Sequence, residues 1–91
     1  MHETAEARLK RMKMRSWRRG TKEMDLVLGP WADAHLAGLS EAELDEYEVL
    51  LAENDQDLMS WILGPTPAPV GMGPLLGRIT AFARDRLAKG R

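Results

Sequence analysis

The sequence Ser16-Trp17-Arg18-Arg19-Gly20-Thr21-Lys22-Glu23-Met24-Asp25 joins a basic segment to an acidic one, with a glycine between them. Residues 8–22 carry eight Lys/Arg and no Asp/Glu, whereas residues 23–77 carry eleven Asp/Glu and no Lys/Arg. Within a formal net charge of −1, the segments 1–22, 23–77 and 78–91 therefore carry +6, −11 and +4. Such a separation of charge suits recognition by a partner surface, and we expect the corner at Gly20 to be its centre.

The length and composition restrict the classes of function. Ninety-one residues predict one small domain, 1–91. A domain of this size buries only about two-thirds of its unfolded surface, which disfavours a deep, closed active site. There is no cysteine, so disulfides, thiolate metal sites and cysteine nucleophiles are excluded. His2 and His35 lie far apart in the sequence, and no pair of histidines has metal-ligand spacing.

The sequence shows no pattern typical of a targeting signal, and we expect none. The longest apolar run is too short to span a membrane. The N-terminal segment contains Glu3 and Glu6 and has no apolar core, unlike a secretory signal, and it is neither acid-poor nor Ser-rich as a mitochondrial presequence should be. We therefore expect a cytoplasmic protein without membrane contact.

One helix is predicted on each side of Gly20. Residues 3–18 are rich in helix formers, with acidic residues near the start and arginines near the end, as the helix dipole favours. We expect Gly20 to take the left-handed C′ position that ends this helix. Thr21 is the predicted N-cap of the second helix. The buried face of that helix follows a helical period and comprises Met24, Val27, Leu28 and Trp31. Gly29-Pro30 should kink or restart it.

Two further helices follow. Ser40 and Glu43 form a predicted capping box, supported by a Leu39–Leu44 hydrophobic staple. The predicted core face of this third helix is Leu44, Tyr47, Leu50 and Leu51. Asp55 is the predicted cap of a short fourth helix, Gln56–Leu63. That helix should bury Leu58, Met59, Ile62 and one face of Trp61.

A spacer and one more helix complete the chain. Residues 64–74 contain four prolines and three glycines, which is typical of a loop, and we expect this loop to be flexible. A last amphipathic helix is predicted over residues 75–89, with Leu75, Leu76, Ile79, Phe82, Ala83 and Leu87 on its apolar face and Gly90 at its end. No segment alternates long enough for a strand, so the predicted fold class is all-α, a small compact bundle of four to five helices.

The residues alone do not indicate an enzyme. There is no phosphate-binding loop, because Gly71-Met72-Gly73 lies in the proline-rich spacer and not between a strand and a helix. The carboxylates lie on solvated helix faces, without the burial that acid–base catalysis requires. Arg19, Gly20 and Glu23 also have a simple structural interpretation, as a cation, a glycine and an anion at helix ends.

A family resemblance adds a function to this corner. Arg19-Gly20-x-x-Glu23 is similar to the Arg-Gly-x-x-Glu (RGxxE) signature of the succinate dehydrogenase flavinylation-factor family, the SdhE-type FAD assembly factors. Residues 17–26 resemble the longer block of that family around the signature. Leu50-Leu51, residues 54–58 and Trp61-Ile62 resemble a second block, in the same order and at similar spacing. Gln56 stands where many members have proline. The resemblance covers about residues 8–63.

The resemblance implies a non-enzymatic assembly factor. Such a factor binds the flavoprotein subunit of succinate dehydrogenase, or in some cases of fumarate reductase, and promotes covalent attachment of FAD to it. The FAD belongs to the client, so we expect no stably bound cofactor, no bound metal and no catalytic residue in this chain. We also expect a monomer when the protein is free.

The hypothesis assigns roles around the corner. Gly20 lets the partner backbone approach closely, Arg19 offers a planar fork of donors, and Glu23 offers an acceptor. The remaining candidate partner-binding residues surround these three: Arg18, Trp17, Lys22, Asp25 and Arg15.

Two other classes stay open at this point. The basic helix 8–22 suits a nucleic-acid-associated or antitoxin-type protein, although the acidic helices beside it would repel phosphates within about 8–10 Å. The other alternative is a scaffold that stores or delivers FAD. Retention of flavin by the purified protein would favour it.

Overall fold

The computed structural model describes residues 3–69 and 73–89, and these contain helices and turns but no strand. Five α-helices and one short 3-10 turn follow one another along the chain. They are α1 (Ala5–Trp17), α2 (Lys22–His35), the 3-10 turn (Leu36–Gly38), α3 (Glu41–Leu51), α4 (Asp55–Ile62) and α5 (Gly73–Lys89). The prediction of an all-α bundle is confirmed.

Side-chain caps begin four of the helices. Thr4 accepts from the backbone of Ala7 at the start of α1. Thr21 caps α2 as predicted, accepting from the backbone N–H of Met24 at 3.3 Å. The capping box of α3 is also confirmed, with Ser40 and Glu43 each accepting from the backbone of the other.

The predicted cap of α4 is wrong by one residue. Asn54 is the N-cap, and its Oδ1 accepts from the backbone N–H of Gln56 at 2.7 Å. Asp55 is instead the first residue of the helix, where its carboxylate is engaged by Arg19. A carboxylate that pairs with an arginine across the fold is not available for capping its own helix.

The predicted effects of glycine and proline on the helices are only partly confirmed. Gly20 has a positive φ of 107°, as expected, but it follows the C-cap Arg18 by two residues, so it is at C″ and not C′. Helix α2 runs through Gly29-Pro30 as one element. Helix α5 begins at Gly73, two residues earlier than predicted, because Pro74 is tolerated in a first turn. Within the predicted loop 64–74, residues 70–72 lie outside the described part of the chain, as does the predicted helix end at Gly90.

The core draws on every helix. The buried hydrophobic side chains form one cluster: Met12, Met24, Val27, Leu28, Trp31, Ala32, Leu36, Tyr47, Leu50, Leu51, Leu58, Ile62, Leu75, Leu76, Ile79 and Ala83. The predicted face of α2 is entirely buried. Leu44, Met59, Trp61 and Phe82 are only partly buried, packing against the edge of the cluster. The side chain of Leu87 lies outside the described residues.

One polar pair lies inside the core between α1 and α3. The hydroxyls of Ser16 and Tyr47 are 2.5 Å apart, and both residues are fully buried. The Ser16 hydroxyl also donates to the carbonyl of Met12 at 2.8 Å, so the Tyr47 hydroxyl is the donor within the pair. Burial raises the pKa of Tyr47 to about 12. The pair therefore connects α1 to α3 at the end of α1 that leads into Gly20.

Candidate functional site

The Gly20 corner, residues 18–25, connects the end of α1 to the first turn of α2. Gly20 is exposed, and a Cβ atom there would lie 3.5 Å from Oδ2 of Asp55, an ordinary contact distance. Space alone would thus admit a small side chain. The positive φ is the stronger reason for glycine, because L side chains rarely adopt that conformation.

The side chain of Arg19 points into the molecule and is only 9% exposed. Its Nε donates to Oδ1 of Asp55 at 2.7 Å. Its two terminal nitrogens donate to the backbone carbonyls of Leu51 and, at 2.7 Å, Glu53. In the free chain the Arg19 guanidinium is therefore not the open donor that we expected. It connects the corner to the turn between α3 and α4. Direct contact of Arg19 with a partner stays a prediction.

Asp25 has a similar internal role. Its carboxylate accepts from the backbone N–H of Arg19 at 2.6 Å and is partly buried. Asp25 and Asp55 therefore hold the backbone and the side chain of the same arginine. This arrangement fixes the conformation of residues 18–25 from two sides, one in α2 and one in α4.

The other predicted residues of the corner face solvent. Arg15, Arg18, Lys22 and Glu23 are all exposed. Arg15 donates to the carbonyl of Leu51 at 3.3 Å. The side chain of Glu23 forms no hydrogen bond or ion pair with any other residue that the structure describes. Of the three acidic residues at or beside the corner, Glu23 is thus the one that remains available.

Trp17 lies between the corner and the middle of α2. Its ring packs against Gly29 so closely that a Cβ there would lie 2.4 Å from Cδ2 of the indole. Its Nε1 donates to Oδ1 of Asp33 at 3.3 Å. The side chain nonetheless remains 40% exposed, so one face of the ring is part of the surface next to Arg18.

Two shallow grooves adjoin the corner and were not predicted. The first, which we call the α4 groove, has a volume of about 370 Å³ and is lined by Thr21, Asp55, Gln56, Met59, Ser60, Leu63 and Gly64. The second, the α2–α5 groove, has a volume of about 300 Å³ and is lined by Glu23, Leu26, Val27, Leu63, Ala83 and Arg86. Leu63 contributes to both, so the grooves are neighbours. The sequence signal for the second was Leu26, a leucine outside the buried period of α2 that is 51% exposed.

The basic face of α1 is partly neutralised within the fold. Arg8 pairs with Asp45 at 2.6 Å and with Glu48 at 2.9 Å, and Arg11 pairs with Glu48 at 2.9 Å. The hydrogen bond from Arg8 is the main reason that the pKa of Glu48 is lowered. The separation of charge along the sequence thus brings α1 and α3 together, and only part of the basic surface is left for a partner.

The described residues offer no metal site. No group of three or more His, Cys, Asp or Glu side chains among them could hold a metal ion. Within the same part of the chain, no helix combines the length and the apolar character needed to cross a membrane.

The Gly20 corner and the α4 groove lie within a region that matches a known family. Residues 10–83 match the model of the family described as flavinator of succinate dehydrogenase. The FAD assembly factor SdhE of Haemophilus ducreyi is 36% identical over 78 residues, covering 82% of this chain and 94% of that protein. The FAD assembly factor SdhE of Acetobacter pasteurianus is 33% identical over 81 residues, covering 88% of this chain and 74% of the relative.

Eukaryotic relatives are longer. The mitochondrial succinate dehydrogenase assembly factor 2 of Meyerozyma guilliermondii is 44% identical over 59 residues, which are 65% of this chain and 44% of that protein. This chain thus spans less than half of the length of that fungal relative. The comparisons give no support to the nucleic-acid or antitoxin alternative.

Proposed function

This chain belongs to the flavinator of succinate dehydrogenase family, and we propose that it binds the flavoprotein subunit of succinate dehydrogenase and promotes covalent attachment of FAD to that subunit. A fumarate reductase flavoprotein is a second client of the same kind. The observation that carries the proposal is the match over residues 10–83, which includes both sequence blocks and the whole Gly20 corner.

The geometry of the corner supports a docking role. Gly20 is exposed, so a partner backbone can approach it without meeting a side chain. Arg19 holds the corner in one conformation through Asp55 and two backbone carbonyls. A surface that is already ordered loses less conformational entropy on binding. Arg19 therefore acts as a positioning residue, while Glu23 and the exposed arginines offer charges to the client.

The factor itself carries out no covalent step in this proposal. It holds the flavoprotein in the arrangement in which flavin and client histidine react, which is catalysis by positioning. The FAD remains with the client, and the two grooves beside the corner are shallow and at the low end of the volumes that bind small molecules. We expect the purified protein to be colourless and monomeric.

The cellular location of the protein is also part of the proposal. We expect the protein in the cytoplasm, whereas the fungal relatives are mitochondrial by name. Immunodetection in fractionated cells would test this, and recovery in another compartment would contradict it.

The test is capture of the flavoprotein subunit by the tagged protein, followed by in-gel fluorescence of covalently bound flavin. Wild-type protein should capture the subunit and raise its fluorescence. Gly20→Arg should abolish both effects, because the new side chain occupies the approach to the corner.

Gly38→Arg is the matched control. It adds the same side chain at an exposed glycine that has open space, beyond the other end of the 14-residue helix α2 and so roughly 20 Å away. This variant should behave as wild type. Because the positive φ of Gly20 adds strain to any replacement, a thermal melt must first show that Gly20→Arg is folded. Full flavinylation by a folded Gly20→Arg variant would refute docking at the corner.

A further inference from the structure

The α2–α5 groove combines an apolar floor with an unpaired carboxylate. Leu26 is 51% exposed, although it lies on a helix whose neighbouring Val27 is buried. Leu63 and Ala83 extend the apolar surface onto the end of α4 and onto α5. Glu23 stands on the rim of this groove and has no partner among the residues that the structure describes.

The charges at the groove indicate what covers it. Asp25 and Asp55 are engaged by Arg19, so the negative charge that remains open beside the groove is that of Glu23. A cationic side chain of a partner would find in Glu23 an exposed carboxylate that pairs with no lysine or arginine among the described residues. Arg86 also lines the groove, and its guanidinium carbon lies over the Phe82 ring, 5.7 Å from the ring centre.

We propose that the α2–α5 groove is a docking site for a client segment in which an apolar side chain lies next to a lysine or arginine. The apolar side chain covers Leu26 and fills the groove, and the cation pairs with Glu23. A volume of about 300 Å³ suits one or two side chains. This inference rests on the proposed function and deepens it, because it adds the last helix and an apolar contact to a site that the motif alone confines to the corner.

Exposed aliphatic side chains on two different helices provide the first test. Leu26→Gln removes the apolar contact, and Val49→Gln makes the same change on α3 at a residue that is 64% exposed. The dissociation constant for the purified flavoprotein subunit is measured by titration calorimetry. Leu26→Gln should raise it by about tenfold, since the exposed half of a leucine side chain no longer becomes buried. Val49→Gln should leave it within about twofold.

Two glutamates in first turns of helices provide the second test. Glu23→Gln removes the charge that the client cation meets, and Glu41→Gln is its control in the first turn of α3. We expect Glu23→Gln to slow association by about three- to tenfold at low salt and to reduce the salt dependence of the rate. Because the Glu23 side chain is exposed and forms no hydrogen bond or ion pair with the described residues, this variant should fold as wild type even if Leu26→Gln does not.

The outcomes separate the two proposals. If the wild-type protein captures the subunit while Leu26→Gln and Glu23→Gln bind it as tightly and as fast as their controls, the groove proposal is overturned and the proposed function stands. If the wild-type protein does not bind the subunit at all, both are overturned. If light scattering shows a wild-type dimer that Leu26→Gln dissociates, the groove is occupied by a second copy of the chain, and the client segment is rejected.

Discussion

At the scale of single residues, the corner depends on an arginine that points inward. Arg19 is preceded by Arg18, and the two adjacent arginines differ completely in environment. Arg18 is exposed, whereas Arg19 donates to one carboxylate and two backbone carbonyls and is nearly buried. The planar guanidinium matches this set of acceptors, and an ammonium group cannot reach all of them at once. The conformation of Gly20 next to it therefore depends on Arg19.

Replacing Arg19 with lysine should lower the free energy of unfolding by about 1–3 kcal/mol, because at least one partly buried acceptor loses its donor. Urea denaturation measures this change. The control is Arg18→Lys, which should stay within about 0.5 kcal/mol of wild type because its side chain is exposed. Equal stability of the two variants would show that the internal hydrogen bonds of Arg19 contribute nothing measurable.

At the scale of secondary-structure elements, α1 and α2 pack closely because a glycine meets a tryptophan. Gly29 leaves the space that the Trp17 ring occupies, and Asp33, one turn later, accepts from the indole N–H. The glycine lies inside a continuous helix, where it costs roughly 0.5–1 kcal/mol relative to alanine. Contact with Trp17 explains why the chain accepts that cost.

Gly29→Ala should therefore destabilise the protein by about 1–3 kcal/mol and displace the Trp17 ring, because the new methyl group overlaps the indole. Fluorine NMR of fluorotryptophan-labelled protein would show one of three resonances shifted, that of Trp17. The same substitution at Gly77, a helical glycine with open space around it, should instead stabilise the protein by up to about 1 kcal/mol. If both Gly29→Ala and Gly77→Ala stabilised the protein, the close packing of the Trp17 ring against Gly29 would be contradicted.

At the scale of the whole molecule, the fold brings opposite charges together. The basic α1 lies against the acidic α3, where Arg8 and Arg11 share Glu48. Arg78 in α5 pairs at 2.9 Å with Glu43, which also lies on α3. These ion pairs are partly exposed, so each contributes little, but together they set the orientation of α1 and α5 on α3. The hydrogen bond from Arg8 keeps the folded-state pKa of Glu48 below its ordinary value of 4.5.

A lowered pKa in the folded state has a definite consequence for pH dependence. The contribution of Glu48 to stability is complete above pH 4.5, the ordinary pKa, and is lost as the pH falls through the lower folded pKa. Glu48→Gln should thus lower stability at pH 7 by about 0.5 kcal/mol and make the acid decline below pH 4.5 shallower. Glu46→Gln, two residues earlier on α3, is the control. Thermal melts from pH 7 to pH 3 measure the change. If the melting temperatures of both variants and of wild type fall identically with pH, Glu48 does not make the pH-dependent contribution to stability.

Local patterns made most of the fold predictable. The period of Met24, Val27, Leu28 and Trp31 and the Ser40–Glu43 capping box depend on residues a few positions apart, and both are confirmed. The same reasoning placed the cap of α4 one residue late, because it could not foresee that Asp55 binds Arg19.

The amino-acid sequence was sufficient for the helical class, the elements of the bundle, the exposed glycine at the corner and the family, because these depend on short-range interactions and on motif spacing. The tertiary structure alone decided that Arg19 faces inward and that Glu23 is left open, since Arg19 and Asp55 are 36 residues apart. It also decided the α2–α5 groove, whose lining comes from α2, α5 and the C-cap residue of α4. Contacts between distant segments depend on how the helices pack, and no periodicity within one helix encodes them.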